Sequence, residues 1–204
     1  MSETIRLLLA DDQALVRGAL AALLDLESDL QVVAQVGRGD EVVGAARDCG
    51  ADVCLLDIEM PGIDGIDAAA QVSASLPGVR SLIVTTFGRP GYLRRAIDAG
   101  ASGFVVKDTP AAELADAVRR VHAGLRVIDP TLATESLTSG ENPLTRRESD
   151  VLTEARSGGT VAAIAAQVHL SQGTVRNHLS SAIGKTGTST RAEAARVAHE
   201  RGWI

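Results

Sequence analysis

The chain has 204 residues, 45% hydrophobic and 23% charged, with a formal net charge of −6. Such a length and composition suit a folded chain with one large domain or two modest ones, and exclude a disordered chain. Apolar runs such as Ile5 to Ala10 and Val53 to Leu56 fall far short of the roughly 20 residues that cross a bilayer. The N-terminus also lacks the basic-then-apolar pattern of a secretory signal, so a cytoplasmic protein without a membrane partner is expected. Cys49 and Cys54 have no metal-type neighbours and read as free thiols.

Short apolar runs alternate with longer segments of helical period through the first 125 residues, the pattern of strand-helix units around a parallel sheet. Five strands are predicted, over Ile5 to Ala10, Gln31 to Val36, Asp52 to Leu56, Arg80 to Thr85 and Gly103 to Val106. In the first helix Leu15, Ala19, Leu23 and Leu26 recur every three or four residues, and that stripe is expected to cover the sheet. The last helix is expected to start after Pro110, to carry Leu114, Ala117, Val118 and Val121 on one face, and to end near Gly124.

From Asp129 to Pro143 the composition turns to Pro, Thr, Ser, Gly and Asn, as in a linker. Beyond it the period is helical throughout, with breaks at Ser157 to Thr160 and Gly187 to Thr190. The predicted organisation is therefore α/β followed by a smaller all-α domain: residues 1–125 as a doubly wound five-stranded parallel sheet, 126–142 as linker, and 143–204 as helices. Charge follows the same division. Residues 1–140 carry 12 Lys/Arg against 20 Asp/Glu, a net of −8, whereas 141–204 carry 8 against 6, a net of +2. This asymmetry permits nucleic-acid binding by the tail without demonstrating it.

Reactive groups in an open parallel sheet gather at the carboxyl ends of its strands. Asp11 and Asp12 end the first predicted strand and Asp57 the third, which brings three carboxylates towards one pocket. Their repulsion calls for a cation, and a hard, oxygen-preferring ion such as Mg2+ is the natural one. Thr85 ends the fourth strand and Lys107 the fifth. A carboxylate can attack a phosphoryl group to form an acyl phosphate, with Mg2+ and an ammonium spreading the charge. Asp57 is the expected nucleophile, Lys107 the partner of a phosphoryl oxygen, and Thr85 a hydroxyl donor to another.

In the tail, Val161 to Val168, the turn His169-Leu170-Ser171 and a further helix capped by Ser171 read as helix-turn-helix. Val175, Leu179 and Ile183 repeat every four residues towards a core. Arg176, Asn177, Ser180 and Lys185 are left to project outward. In the major groove of double-stranded DNA, Arg pairs with guanine and Asn with adenine. The last helix, Arg191 to Arg201, reads as a packing or dimerisation element, with Trp203 covering its end.

With these residues in order, the first 125 positions resemble the receiver domain of two-component response regulators. The likeness extends to Met60-Pro61-Gly62-Ile63-Asp64-Gly65 and to Gly103-Phe104-Val105-Val106-Lys107-Asp108. It implies a flavodoxin-like fold in which Asp12, Asp57 and the carbonyl of Glu59 hold Mg2+, supported by Asp11. It further implies that Thr85 and Phe104 shift together on phosphorylation, Phe104 without the hydroxyl of the tyrosine often found there. Leu144-Thr145-Arg146-Arg147-Glu148, with Ile164-Ala165, Leu170-Ser171, Thr174-Val175 and Asn177-His178, resembles the LuxR-type helix-turn-helix of the NarL/FixJ family. By position Arg176, Asn177 and Ser180 would meet base edges, and Thr174, His178 and Lys185 the DNA backbone. Thr186 departs from the apolar residue usual there.

The resemblance implies a transcription factor, not an enzyme, phosphorylated at Asp57 by a sensor histidine kinase and binding paired half-sites as a homodimer. Dimerisation is expected through a surface near the fourth or fifth helix or through one formed by the first and fifth helices, the latter favoured. Leu15, Ala19, Ala22 and Leu26 with Leu114, Val118 and Val121 are its candidates, all equally placed to be core. A haloacid-dehalogenase-like phosphatase would carry its nucleophile on the first strand and leave the tail unexplained. A ligand-sensing LuxR-type regulator would need a pocket that Phe87, Tyr92, Phe104 and Trp203, the four aromatics, hardly furnish. A regulator that works without phosphate is the remaining alternative.

Overall fold

A computed structural model describes residues 4–86, 90–130, 132–134 and 142–204. Two compact units result, one around a sheet and one of helices. The sheet unit runs β1 (Ile5–Ala10), α1 (Ala14–Leu24), β2 (Leu30–Val36), a 3-10 turn (Gly39–Glu41), α2 (Val42–Cys49), β3 (Val53–Leu56) and α3 (Gly65–Ser75). It continues with β4 (Arg80–Thr85), α4 (Pro90–Asp98), β5 (Gly103–Val106), α5 (Ala111–His122) and β6 (Val127–Ile128). All strands are parallel, in the order β2-β1-β3-β4-β5-β6. The order reverses beside β1, and a crevice opens there at the carboxyl ends of β1 and β3. β3 is buried along its whole length, as a central strand covered on both faces must be.

One side of the sheet packs Leu7, Leu9, Val53, Leu55, Leu82 and Val84 against α1 and α5. From α5 come Leu114, Ala117, Val118 and Val121, the face expected from the sequence. The face expected of α1 is not the one buried. Ala21 and Leu24 enter the core with Leu20 partly beside them, while Leu15 and Leu26 are 86% and 80% exposed and Leu23 is 44% exposed. Because α1 reads ALVRGALAALL, apolar residues surround most of it. Two rows then satisfy the helical period equally, and periodicity cannot choose between them. Of the dimerisation candidates, Leu114, Val118 and Val121 are core, whereas Leu15, Ala19, Ala22 and Leu26 face outward.

The sheet has six strands rather than the five expected. Val127 and Ile128 pair in parallel with Gly103 and Phe104, and the Val127 N–H donates to the Ser102 carbonyl at 3.1 Å. This segment was expected to begin the linker. Gly103 makes the approach possible, since a Cβ there would stand 2.9 Å from the Val127 carbonyl oxygen and 2.7 Å from Leu82. Residues 131 and 135–141 of the expected linker lie outside the described residues.

The helical unit comprises α6 (Arg146–Ala155), α7 (Val161–Gln167), α8 (Gln172–Thr186) and α9 (Arg191–Glu200). Thr145, Thr160, Ser171 and Thr190 each accept a hydrogen bond from the backbone of the third residue beyond, satisfying donors that a helix start leaves open. Val151, Leu152, Ile164, Val175, Leu179, Ala182, Ala194 and Ala198 form the core. Trp203 is buried against it, with its carbonyl accepting from Asn142 Nδ2 at 3.2 Å.

Candidate functional site

Strand register builds the acidic pocket. Ala10 stands opposite Leu56 across β1 and β3, so Asp11 and Asp57 leave the sheet side by side. The Asp57 N–H donates to the Ala10 carbonyl at 2.9 Å. One carboxylate oxygen each of Asp11, Asp12 and Asp57 lies within 4.8 Å of the others, with Asp11 and Asp57 buried and Asp12 exposed. Behind the turn, α3 begins so close that a Cβ on Gly65 would overlap the Asp57 carbonyl oxygen.

Lys107 reaches this pocket from the end of β5. Its Nζ is 2.7 Å from Asp11 Oδ2 and 3.1 Å from Asp57 Oδ2, with all three side chains less than a tenth exposed. Both contacts are at ion-pair distance, so one ammonium is divided between two carboxylates. Thr85 is buried at the end of β4 and accepts the Lys107 N–H on its carbonyl at 2.7 Å. Phe104 is buried within β5, and Glu59 is exposed two residues beyond Asp57.

The electrostatics are unbalanced. Burial pushes the Asp57 carboxyl above its ordinary value and the neighbouring Asp11 charge adds to this, while Lys107 opposes both. Burial by itself would lower Lys107, yet Asp11 and Asp57 together hold it above the usual lysine range. Two buried acids share one ammonium with Asp12 beside them, and the donor set is entirely carboxylate oxygen. These residues fit a hard divalent cation such as Mg2+, which would supply the positive charge that the pocket lacks.

In the helical unit, α8 follows a tight turn in which His169 adopts a left-handed backbone with φ 54°. Ser171 Oγ accepts the Thr174 N–H at 3.1 Å, as its sequence position predicts. Val175, Leu179 and Ala182 face inward, with Ile183 packed beside them. Arg176, Asn177 and Ser180 are exposed, and Thr174 and His178 are half-buried. Lys185 is exposed as well, and its Nζ pairs with Glu148 Oε2 at 2.7 Å. Thr186 satisfies its hydroxyl on the Ala182 and Ile183 carbonyls at 2.8 and 3.1 Å.

Glu148 is the residue that sequence reasoning missed. Buried, it accepts from the Thr145 N–H at 2.7 Å, Ser181 Oγ at 2.6 Å and Lys185 Nζ at 2.7 Å. Burial alone would raise its pKa; Lys185, Ser181 and Thr145 overcome this and bring it down to about 2. Thr145-Arg146-Arg147-Glu148 is a capping-box spacing, and that was the available signal.

Residues 7–119 match the response regulator receiver domain, and residues 142–198 match bacterial regulatory proteins of the luxR family. Over 98% of its length the chain is 44% identical to the whole of YvfU, an uncharacterized transcriptional regulatory protein of Bacillus subtilis (strain 168). It is 42% identical to the transcriptional regulatory protein DesR of the same organism, covering 98% of this chain and 99% of DesR. Among solved structures it is similar to the response regulator ChrA of a heme-sensing two-component system. The identity is 33% and the TM-score 0.59, across 98% of this chain and 99% of ChrA.

Proposed function

Since this chain belongs to the response regulators that join a receiver domain to a LuxR-type DNA-binding domain, we propose that Asp57 is its phosphoacceptor and phosphorylation there its input. The observation that carries this reading is the pocket in which Asp57, Asp11, Asp12 and Lys107 meet. The donor is a phosphohistidine of a sensor kinase, as befits a chain similar to a regulator of a two-component system. An Asp57 carboxylate oxygen bonds to phosphorus as the phosphorus–nitrogen bond breaks, and the imidazole leaves with the electron pair. Asp11, Asp12, Asp57 and the Glu59 carbonyl would hold Mg2+, which would supply positive charge to the phosphoryl oxygens. Lys107 exchanges a carboxylate partner for a phosphoryl oxygen, and Thr85 donates its hydroxyl to another.

The added charge of about −1.5 to −2 draws Thr85 towards the acceptor, and Phe104 repacks with it through apolar contact. The exposed row Leu15, Ala19 and Ala22 on α1, with Leu26 just beyond its end, then becomes part of a homodimer surface with the outer face of α5. Arg176, Asn177 and Ser180 read base edges in the major groove. Thr174 and His178 contact the DNA backbone, joined by the donors of Lys185 that Glu148 leaves over. Two tails on one dimer bind paired half-sites in cytoplasmic double-stranded DNA, roughly 10 bp apart, so affinity rises through effective concentration. The chain acts as a transcription factor and not as an enzyme.

Light scattering and DNA titration with Mg2+ and acetyl phosphate or beryllofluoride test this, on the wild type and Asp57→Ala. Dimerisation and tighter DNA binding in the wild type alone are expected. A dimer that forms equally well without phosphate defeats the switch. Sustained turnover of a small phosphate ester would favour the phosphatase.

A further inference from the structure

Asp57 and its neighbours do not exhaust the charged groups at this pocket, for α1 sends a cation to it from below. Arg17, in the first turn of α1, turns its guanidinium inward, and Nη1 donates to the backbone carbonyl of Asp11 at 2.5 Å. The same Nη1 stands 3.6 Å from the point where a Cβ on Gly37 would lie. Nε is buried without a hydrogen-bond partner, and Arg17 lines a small cavity together with Asp11, Asp57, Leu20, Leu55 and Val84. A guanidinium beside aliphatic walls is costly to desolvate. A residue needed only for packing there would be Leu or Met.

Arg17 completes the fastening of Asp11. The Asp11 N–H donates to the Val36 carbonyl at 3.2 Å, Oδ1 accepts the Gln13 N–H at 2.9 Å, and Oδ2 faces Lys107 at 2.7 Å. The carbonyl, the remaining polar atom, is the one Arg17 takes. A cation aimed at a carboxylate would have neutralised a ligand oxygen. Aimed at the backbone, it restrains the Asp11-Asp12 turn without adding to the partners that the Asp11 carboxylate already has.

Resting on the reading of Asp57 as acceptor, we propose that Arg17 is a positioning residue for phosphoryl acceptance. It acts through Asp11 by holding the acid pair in the orientation that binds the divalent cation. Misplacing a reacting constellation by even 1 Å costs as much as 10²-fold in rate, so loss of one of four restraints is expected to have a moderate effect.

The experiment measures Mg2+ affinity by calorimetry and the rate of labelling by acetyl phosphate, on the full chain carrying Arg17→Met, Arg17→Lys or Asp57→Asn. Arg17→Met is expected to weaken Mg2+ binding roughly tenfold and to slow labelling most at low Mg2+. Arg17→Lys, which keeps one donor, is expected to fall between it and wild type. Hydrogen exchange at the Gln13 amide should quicken in Arg17→Met. Wild-type Mg2+ affinity and labelling in Arg17→Met overturn the proposal. Should that variant fail to fold, wild-type affinity in Arg17→Lys does so instead. Labelling that persists in Asp57→Asn strikes the acceptor reading itself, a result separate from any outcome at Arg17.

Discussion

Asp57 and Glu148 are both carboxylates buried to within a few per cent of full enclosure, and the two units treat them in opposite ways. Glu148 receives a backbone N–H, a hydroxyl and an ammonium on its two oxygens, and its pKa is brought down to about 2. Asp57 shares one ammonium with a neighbouring acid, and its carboxyl is pushed up by burial. The lesson is that satisfaction and reactivity are alternatives. Every lone pair of Glu148 that matters is engaged, so it ties α6 to α8 and does nothing else. Asp57 keeps an unmet demand for positive charge, which a divalent cation can answer.

The largest effect should come from removing the one cation that the receiver acids share. Lys107→Met is expected to cost roughly 3 kcal/mol or more, because breaking a buried ion pair leaves its partners uncompensated. Added Mg2+ should recover part of this, as read by thermal melting with and without the ion. Glu148→Gln comes next, at about 2 kcal/mol of helical-unit stability, since it gives up charge-assisted hydrogen bonds. The pH dependence sharpens the point. Glu148 titrates below its ordinary value of 4.5 in the fold. Its stabilisation, about 3 kcal/mol, is therefore complete above pH 4.5 and lost as pH falls towards 2. Circular dichroism through an acid titration follows it.

Asp57→Asn should change stability in the other direction. A carboxyl whose pKa is raised in the fold destabilises it increasingly as pH rises through the ordinary carboxylate range. At neutral pH without Mg2+, Asp57→Asn is therefore expected to melt above wild type; a lower melting temperature would erase the contrast with Glu148. The smallest effect on stability belongs to Leu15→Ser and Leu26→Ser, within about 0.5 kcal/mol because both side chains are in solvent. The same changes should prevent assembly in beryllofluoride if α1 forms the dimer surface, which light scattering reads.

The strands were legible because their branched runs are short and bounded, and the structure moves only two of the five predicted starts, each by one residue. The acidic pocket was legible for a related reason. Once the strands are known, Asp11, Asp57, Thr85 and Lys107 fall at their carboxyl ends without further information. What escaped had no local signal. The buried row of α1 depends on which side meets the sheet, and a helix apolar nearly all round does not announce it. Lys185 and Ser181 stand 37 and 33 residues from Glu148, so the network that binds them is invisible along the chain. Val127 and Ile128 make too short a run to stand out between Arg126 and Asp129-Pro130.

That last strand alters how the protein keeps to itself. Without β6, the backbone of β5 would present open donors and acceptors at the end of the sheet, a template on which another polypeptide can add. β6 occupies those groups over two residues. It then stops at Asp129 and Pro130, where proline has no N–H to offer. A two-residue stub is too short to recruit a partner strand in its turn. The first residues after α5 thus cover the edge that β5 would otherwise present, and the sheet ends on that side in a stub that offers little to pair with.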